Sequence, residues 1–297
     1  MATVLQWPAH GASDNLLTDG AQQRLARWNQ HRLSPRLPDE EWQLELGRDH
    51  EMLALEAALL AALREEVRDE AAEAPSEPGE FVRWFEELKQ SGPGQDDPLF
   101  PWLATRANLS QMRWYLRQEA AGEAGFDDLT AYTQVKLPEG IKLELARNYW
   151  DEMGRGNAKG MHGPMLARLV DELQLEPAIE HTAWESLALA NTMTAMATRR
   201  DHAWHSLGAL GVIELTAPGR SAAVAEGLRR LGVDGKARVY FELHATLDVK
   251  HSAAWNEEAI MPAIAQDPRR ARAIAEGALI RLTAGARCFE RYRRELW

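Results

Sequence analysis

Three residues on one short stretch carry the chemistry of this chain. His244, Asp248 and His251 stand at i, i+4 and i+7 within KARVYFELHATLDVKHSAAW, residues 236–255. At 3.6 residues per turn the three fall within roughly 60° of arc on one face of a helix. Arg238, Glu242 and Lys250 cluster on the opposite arc, which marks the solvent side. Leu243, Leu247 and Val249 make the helix apolar enough to be mostly buried. Two imidazoles and a carboxylate turned into a core need a partner, because an unpaired buried charge is costly. A divalent cation is one such partner, and three separately satisfied polar groups are the other.

Other polar residues sit on apolar faces elsewhere. Glu119 shares a face with Met112, Tyr115 and Leu116 in NLSQMRWYLRQEAAG. There it either binds something or snorkels to water from a helix end. Glu152 shares a face with Ile141, Leu145, Asn148 and Tyr149 on a helix opened by Pro138. Asn148 and Tyr149 are candidates to support a ligand or touch a substrate, or else pack in the core. Glu214 lies with Leu207, Leu210 and Gly211. His162 follows the glycine-rich segment GRGNAKG. On one straight helix Glu152 and His162 would stand about 15 Å apart along the axis, so they meet only if that segment folds back. Gly154, Gly156 and Gly160 permit the reversal. Otherwise His162 is a surface residue of an ordinary helix–loop–helix. His202 and His205 resemble a metal pair but point well away from Glu214, and read as surface or second-layer residues.

The elements that must position these groups are helical. No segment shows sustained alternation of β-branched apolar residues, so the chain is expected to be all-α. Residues 1–38 read as an extension with a short helix around 20–31, and residues 39–297 as one domain, with Asp39 capping the next helix. Helices are expected over 40–67, 81–90, 108–122, 138–153, 165–173, 178–198, 201–216, 221–232, 236–255 and 268–297. Pro218–Gly219 is expected to end one of them. Asn191, Thr192 and Thr194 suit a pocket wall or a kink. Most of the eleven tryptophans are expected in the core.

Composition narrows the function. The 297 residues are 45% apolar and carry a net charge of −11. No Lys/Arg-rich run appears, which argues against nucleic acid and anionic membranes as partners. The single cysteine, Cys288, excludes an intrachain disulfide and thiolate-rich metal sites, and suits a reducing cytoplasm. No apolar run spans a bilayer and no signal peptide is legible. Glu119, Glu152, Glu214 and Asp248 supply four negative charges, which two divalent cations would neutralise. Carboxylate and imidazole ligands without thiolate suit iron or manganese.

The pieces RQEAAG around Glu119, NYWDEMGRGN…MHGPML around Glu152 and His162, ALGVIELT around Glu214 and HATLDVKH together resemble the haem-oxygenase-like di-iron oxidases and oxygenases, often called iron-containing redox enzymes. The resemblance runs from about residue 98 to 255. It implies a bundle of about seven helices, often a homodimer. It also implies two Fe(II) ions, with manganese an alternative, held by Glu119, Glu152, His162, Glu214, His244, Asp248 and His251. Such a cofactor is labile, and the segment around His162 orders with it. The implied activity is O₂-dependent oxidation of a small organic substrate (an amine, amino acid or fatty acid), with an electron donor where the reaction requires one. Tyr115, Asn148 and Tyr149 are the expected neighbours of the ligands or substrate. The residues alone leave open a metal-free enzyme of the same fold and a helical protein that stores metal or binds partners.

Overall fold

The computed structural model describes residues 16–37 and 42–297. Its helices are α1 (Asp19–Leu33), α2 (Trp42–Glu66), α3 (Arg68–Ala72), α4 (Pro78–Ser91), α5 (Leu99–Thr105), α6 (Leu109–Gly122) and α7 (Phe126–Thr133). The series continues with α8 (Glu139–Glu152), α9 (His162–Glu172), α10 (Trp184–Thr198), α11 (Ala203–Arg230), α12 (Gly235–Trp255), α13 (Met261–Gln266) and α14 (Arg270–Leu296). Among the described residues there is no β-strand, as the hydrophobic periodicity implies; one isolated bridge pairs Met153 with Met161. No described helix is long and apolar enough to cross a membrane. The Asp39 cap and the boundary at 38/39 lie outside the described residues.

Local rules set several helix ends. Asn108 caps α6 in a reciprocal capping box with Gln111, satisfying two orphan donors. Thr18 caps α1 and Asp234 caps α12 through side-chain acceptors. α1 packs on α10, where Asn29 Nδ2 donates to Asn191 Oδ1 at 3.0 Å. Asn191 therefore serves helix packing; it does not line the cavity described below.

The core is organised around α11, which packs on α12, α14 and α5. Gly208 and Gly277 let α11 and α14 approach backbone to backbone. A Cβ on either would stand 1.9 Å from a carbonyl oxygen of the other helix. The Trp255 ring fills the space beside Gly211 and donates from Nε1 to the Leu207 carbonyl at 3.1 Å. This locks the end of α12, the helix bearing the histidines, against α11.

Four expectations are corrected. Pro218 does not end a helix, because α11 runs through it from Ala203 to Arg230. Burial of Leu215, Pro218, Val224 and Leu228 on neighbouring helices outweighs the one lost backbone hydrogen bond. Of the described tryptophans only Trp28 and Trp255 are fully in the core; Trp84, Trp102, Trp114 and Trp204 pack against it half-buried, and Trp42, Trp150 and Trp297 are exposed. His205 is neither on the surface nor near the metal-suited residues. It is buried, with Nε2 3.0 Å from Glu276 Oε2, beside Arg64 and Arg272. Finally, α12 is only half-buried. Its buried residues are Ala237, Phe241, Asp248, His251, Ser252 and Trp255, while Val249 is 54% exposed.

Candidate metal centre

α8 and α9 meet end to end. Glu152 is the last residue of α8 and His162 the first of α9. Two tight turns, 154–156 and 158–160, reverse the chain between them, and the Met153–Met161 bridge closes the loop. Gly154 sits at φ +59 with its Cα packed on Gly160, and a Cβ there would lie 2.4 Å from the Gly160 carbonyl carbon. Only glycine tolerates both constraints. The reversal brings His162 Nδ1 to 2.7 Å from Glu152 Oε2, with both residues buried. The fold-back required by the helix arithmetic is therefore present.

The inward face of α12 completes two groups. Glu152, His162 and His244 bring one ligand atom each to within 4.8 Å of one another, and so do Glu214, Asp248 and His251. The groups are neighbours because α12 supplies His244 to the first and Asp248 and His251 to the second, one and two turns on. α8, α9 and α12 build one, and α11 and α12 the other. Among the described residues these are the two clusters with metal-ligand geometry.

Hydrogen bonds fix which imidazole nitrogen is offered. His244 Nδ1 donates to the Tyr240 carbonyl at 2.6 Å, leaving Nε2 as the free lone pair. His251 Nε2 donates to Asp151 Oδ2 at 3.1 Å, which turns Nδ1 toward Glu214 Oε1 at 3.4 Å. Asn148 Nδ2 donates to Glu214 Oε1 at 2.6 Å. His162 Nδ1 and His251 Nδ1 are both buried without a hydrogen-bond partner. Each faces a carboxylate, so a lone pair there repels the oxygen unless a proton or a cation lies between. Two orphaned imidazole nitrogens, each among hard oxygen ligands, fit a divalent cation in each group.

Without a cation, protons do the same work. Burial, together with the Glu214 and Glu152 carboxylates, pushes the Asp248 carboxyl far above the usual carboxylate range. Burial opposes a charge on His251, but Glu214 and Asp151 outweigh it and lift the imidazole to about 9. Burial dominates at His244 and holds it neutral and ready to ligate.

The seventh expected ligand stands elsewhere. Glu119 is in neither group. It lines the adjoining cavity beside Tyr115 and Tyr292, where burial raises its pKa and the two hydroxyls oppose the shift. Tyr115 is thus a neighbour of Glu119, and Asn148 a neighbour of Glu214. Tyr149 does not line the cavity. The cavity, about 170 Å³, also reaches Glu152, Glu214, His244 and Asp248, so both groups open onto it.

Several residues here escaped the sequence reading. Asp151 was hidden because it precedes Glu152 and so falls on a different face of α8. Glu123, one turn after Glu119, was legible at i+4; burial and Glu119 push it up to about 7. Arg220 lies beyond the expected break at Pro218. Arg281 is one of many arginines on α14 and carries no distinguishing signal.

Residues 113–286 match the family model described as iron-containing redox enzyme. No curated protein matches the chain. Two crystal structures of a CADD-like protein of unknown function from Nostoc punctiforme PCC 73102 are similar, each with a TM-score of 0.56. Their identities are 17% and 19%, over 74% of this chain and 95% and 98% of those chains. At that identity the likeness shows a shared fold.

Proposed function

This chain belongs to the iron-containing redox enzymes, with an all-α haem-oxygenase-like bundle, and we propose that it is an O₂-dependent non-haem di-iron oxidase or oxygenase acting on a small organic substrate. The observation that carries the reading is the pair of three-residue groups, Glu152–His162–His244 and Glu214–Asp248–His251, opening onto one cavity. In this reading the six side chains would hold two ferrous ions, while Glu119, the seventh residue of the expected set, stands apart from both groups on the cavity wall. Bound there, iron supplies the redox chemistry that lets O₂ oxidise an organic molecule.

The chain's own residues prepare the site for that task. Asp151 holds the His251 ring so that Nδ1 faces Glu214. The Tyr240 carbonyl does the same for His244 from the other side of the ring. Asn148 steers one oxygen of Glu214. Such outer partners set ligand orientation and basicity. Leu129, Leu166, Leu189, Met193 and Phe241 line the cavity with apolar surface, keeping bulk water away and the electrostatic interactions strong. Glu123 lines the same chamber, its carboxyl raised by desolvation and by the neighbouring Glu119, a group that could give or take a proton there.

The test is metal analysis of anaerobically reconstituted protein, followed by O₂ uptake with candidate substrates. Two ferrous ions per chain and substrate-dependent O₂ consumption are expected. Failure to retain iron at stoichiometry would favour a metal-free enzyme. Iron binding with O₂ uptake that ends once Fe(II) is oxidised, whatever organic molecule is added, would indicate storage. Either result overturns the proposal.

A further inference from the structure

The cavity has a second pole that the six metal-suited residues do not use. On α11 the stripe Glu214, Ala217, Ser221 and Val224 lines it, with Ile213 and Arg220 at the sides. The small side chains of Ala217 and Ser221 keep the passage open. Arg220 lies six residues after Glu214, about 9 Å farther along the helix axis. From α14, Arg281, Gly285, Cys288 and Tyr292 face the same space.

Both arginines are half-buried against the cavity, and among the described residues neither forms an ion pair with a carboxylate. Arg220 donates to Thr216 Oγ1, and its guanidinium carbon stands 5.4 and 5.9 Å from the Phe289 and Phe100 ring centroids. Arg281 makes no hydrogen bond among the described residues, and its Nε is wholly buried without a partner. Its guanidinium lies across Gly285, where an added Cβ would meet Nη1 at 2.9 Å. Glycine at this mid-helix position thus makes room for the arginine.

A buried, unpaired guanidinium is costly, and two near each other are worse. Burial and the neighbouring Arg281 lower the Arg220 pKa to about 10. Glu119 and Glu123 act on these charges only at a distance, and neither forms an ion pair with either guanidinium. What the pole lacks is an anion with two acceptor oxygens, the geometry a guanidinium fork recognises. The rest of the wall is mainly apolar, and the space suits a small molecule.

We propose that Arg220 and Arg281 bind the carboxylate of the substrate, so that this enzyme acts on a small carboxylic acid whose apolar body extends toward Glu214, Asp248 and His244. This rests on the cavity being the substrate chamber of the proposed oxidase. It narrows the substrate class and sets the reacting carbon or nitrogen several bonds from the carboxylate, since the poles are about 9 Å apart along α11.

Binding to the metal-free full chain tests the proposal, because an acid then has no cation to ligate. The probes are 3-phenylpropionate, 3-phenylpropanamide and 3-phenylpropylamine, followed by calorimetry and ligand-observed NMR. The acid is expected to bind roughly tenfold or more tighter than the amide. Arg281→Met and Arg220→Met should each remove most of that preference while leaving amide binding unchanged. Gly285→Ala, which displaces Arg281 without removing a charge, should weaken acid binding in a chain whose circular dichroism is unchanged, and so serves if a methionine variant fails to fold. Equal binding of acid and amide, tighter binding of the amine, no binding of the acid at millimolar concentration, or a folded variant that keeps the full preference would each overturn it. Iron stoichiometry and O₂ uptake are measured separately, so this inference can fail while the oxidase reading stands.

Discussion

Gly154→Ala isolates the turn that brings Glu152 and His162 together. Gly154 holds φ +59, a region that costs an alanine about 1–2 kcal/mol. Its new Cβ would also lie 2.4 Å from the Gly160 carbonyl carbon and 2.6 Å from the Met161 nitrogen, both backbone atoms that cannot swing aside. Relieving such overpacking costs about 1–3 kcal/mol more. Glu152 and His162 are grouped only while the reversal is closed, so the cost of about 2–5 kcal/mol appears as lost affinity for a cation in that group. At 1.4 kcal/mol per tenfold this is a loss of roughly thirtyfold at the least. Anaerobic titration with Fe(II), or with Mn(II) as a stable stand-in, should resolve one weakened site while the Glu214 group keeps most of its affinity. Gly163→Ala is the control, because nothing lies within 4 Å of its added Cβ and its φ is ordinary. If Gly154→Ala binds both cations normally, or weakens both sites equally, the turn does not assemble the first group and the argument fails.

Asp248→Ala should reduce stoichiometric iron by about one ion per chain, since it removes an anionic ligand from the second group; unchanged iron content by elemental analysis would contradict the assignment. Asp151→Ala frees the His251 ring and should lower affinity at that group by about 10–100-fold, read by the same titration. Cation binding there must displace protons from His251 and Asp248, so affinity should rise with pH up to about 9, and the binding enthalpy should depend on the buffer's ionisation enthalpy. Both groups have folded pKa values above their unfolded ones, so the native state holds the extra protons. The metal-free chain should therefore lose stability as pH rises through about 9, starting near 3.8 for Asp248 and near 6.5 for His251, and a melting temperature flat from 6.5 to 9 would refute the assignment. Residues 153–162 should exchange amide hydrogens faster without Fe(II) than with it, because ordering a glycine-rich turn costs backbone entropy that a bound cation offsets; equal protection would mean that the loop is preorganised.

What the sequence determined by itself is the helical architecture and the faces of its helices. His244, Asp248 and His251 were found because a helix repeats every 3.6 residues, and that geometry is local. The same periodicity placed Glu152 and Glu214 on apolar sides, and the glycines around His162 marked a reversal. Where tertiary packing overrides a local rule, the sequence misleads. Pro218 ends isolated helices, yet here neighbouring helices hold α11 through it, and that continuity carries Arg220 into the cavity. Only the assembled bundle decides that Asp151 reaches His251, 100 residues away in the chain. Only the bundle sets Glu119 between Tyr115 and Tyr292, apart from both three-residue groups. Arg281 makes the point most sharply: among the arginines of α14 nothing local distinguishes it. Its lack of a partner exists only once Gly285, Tyr292 and the walls of α11 have closed around it, because burial is a property of the whole fold.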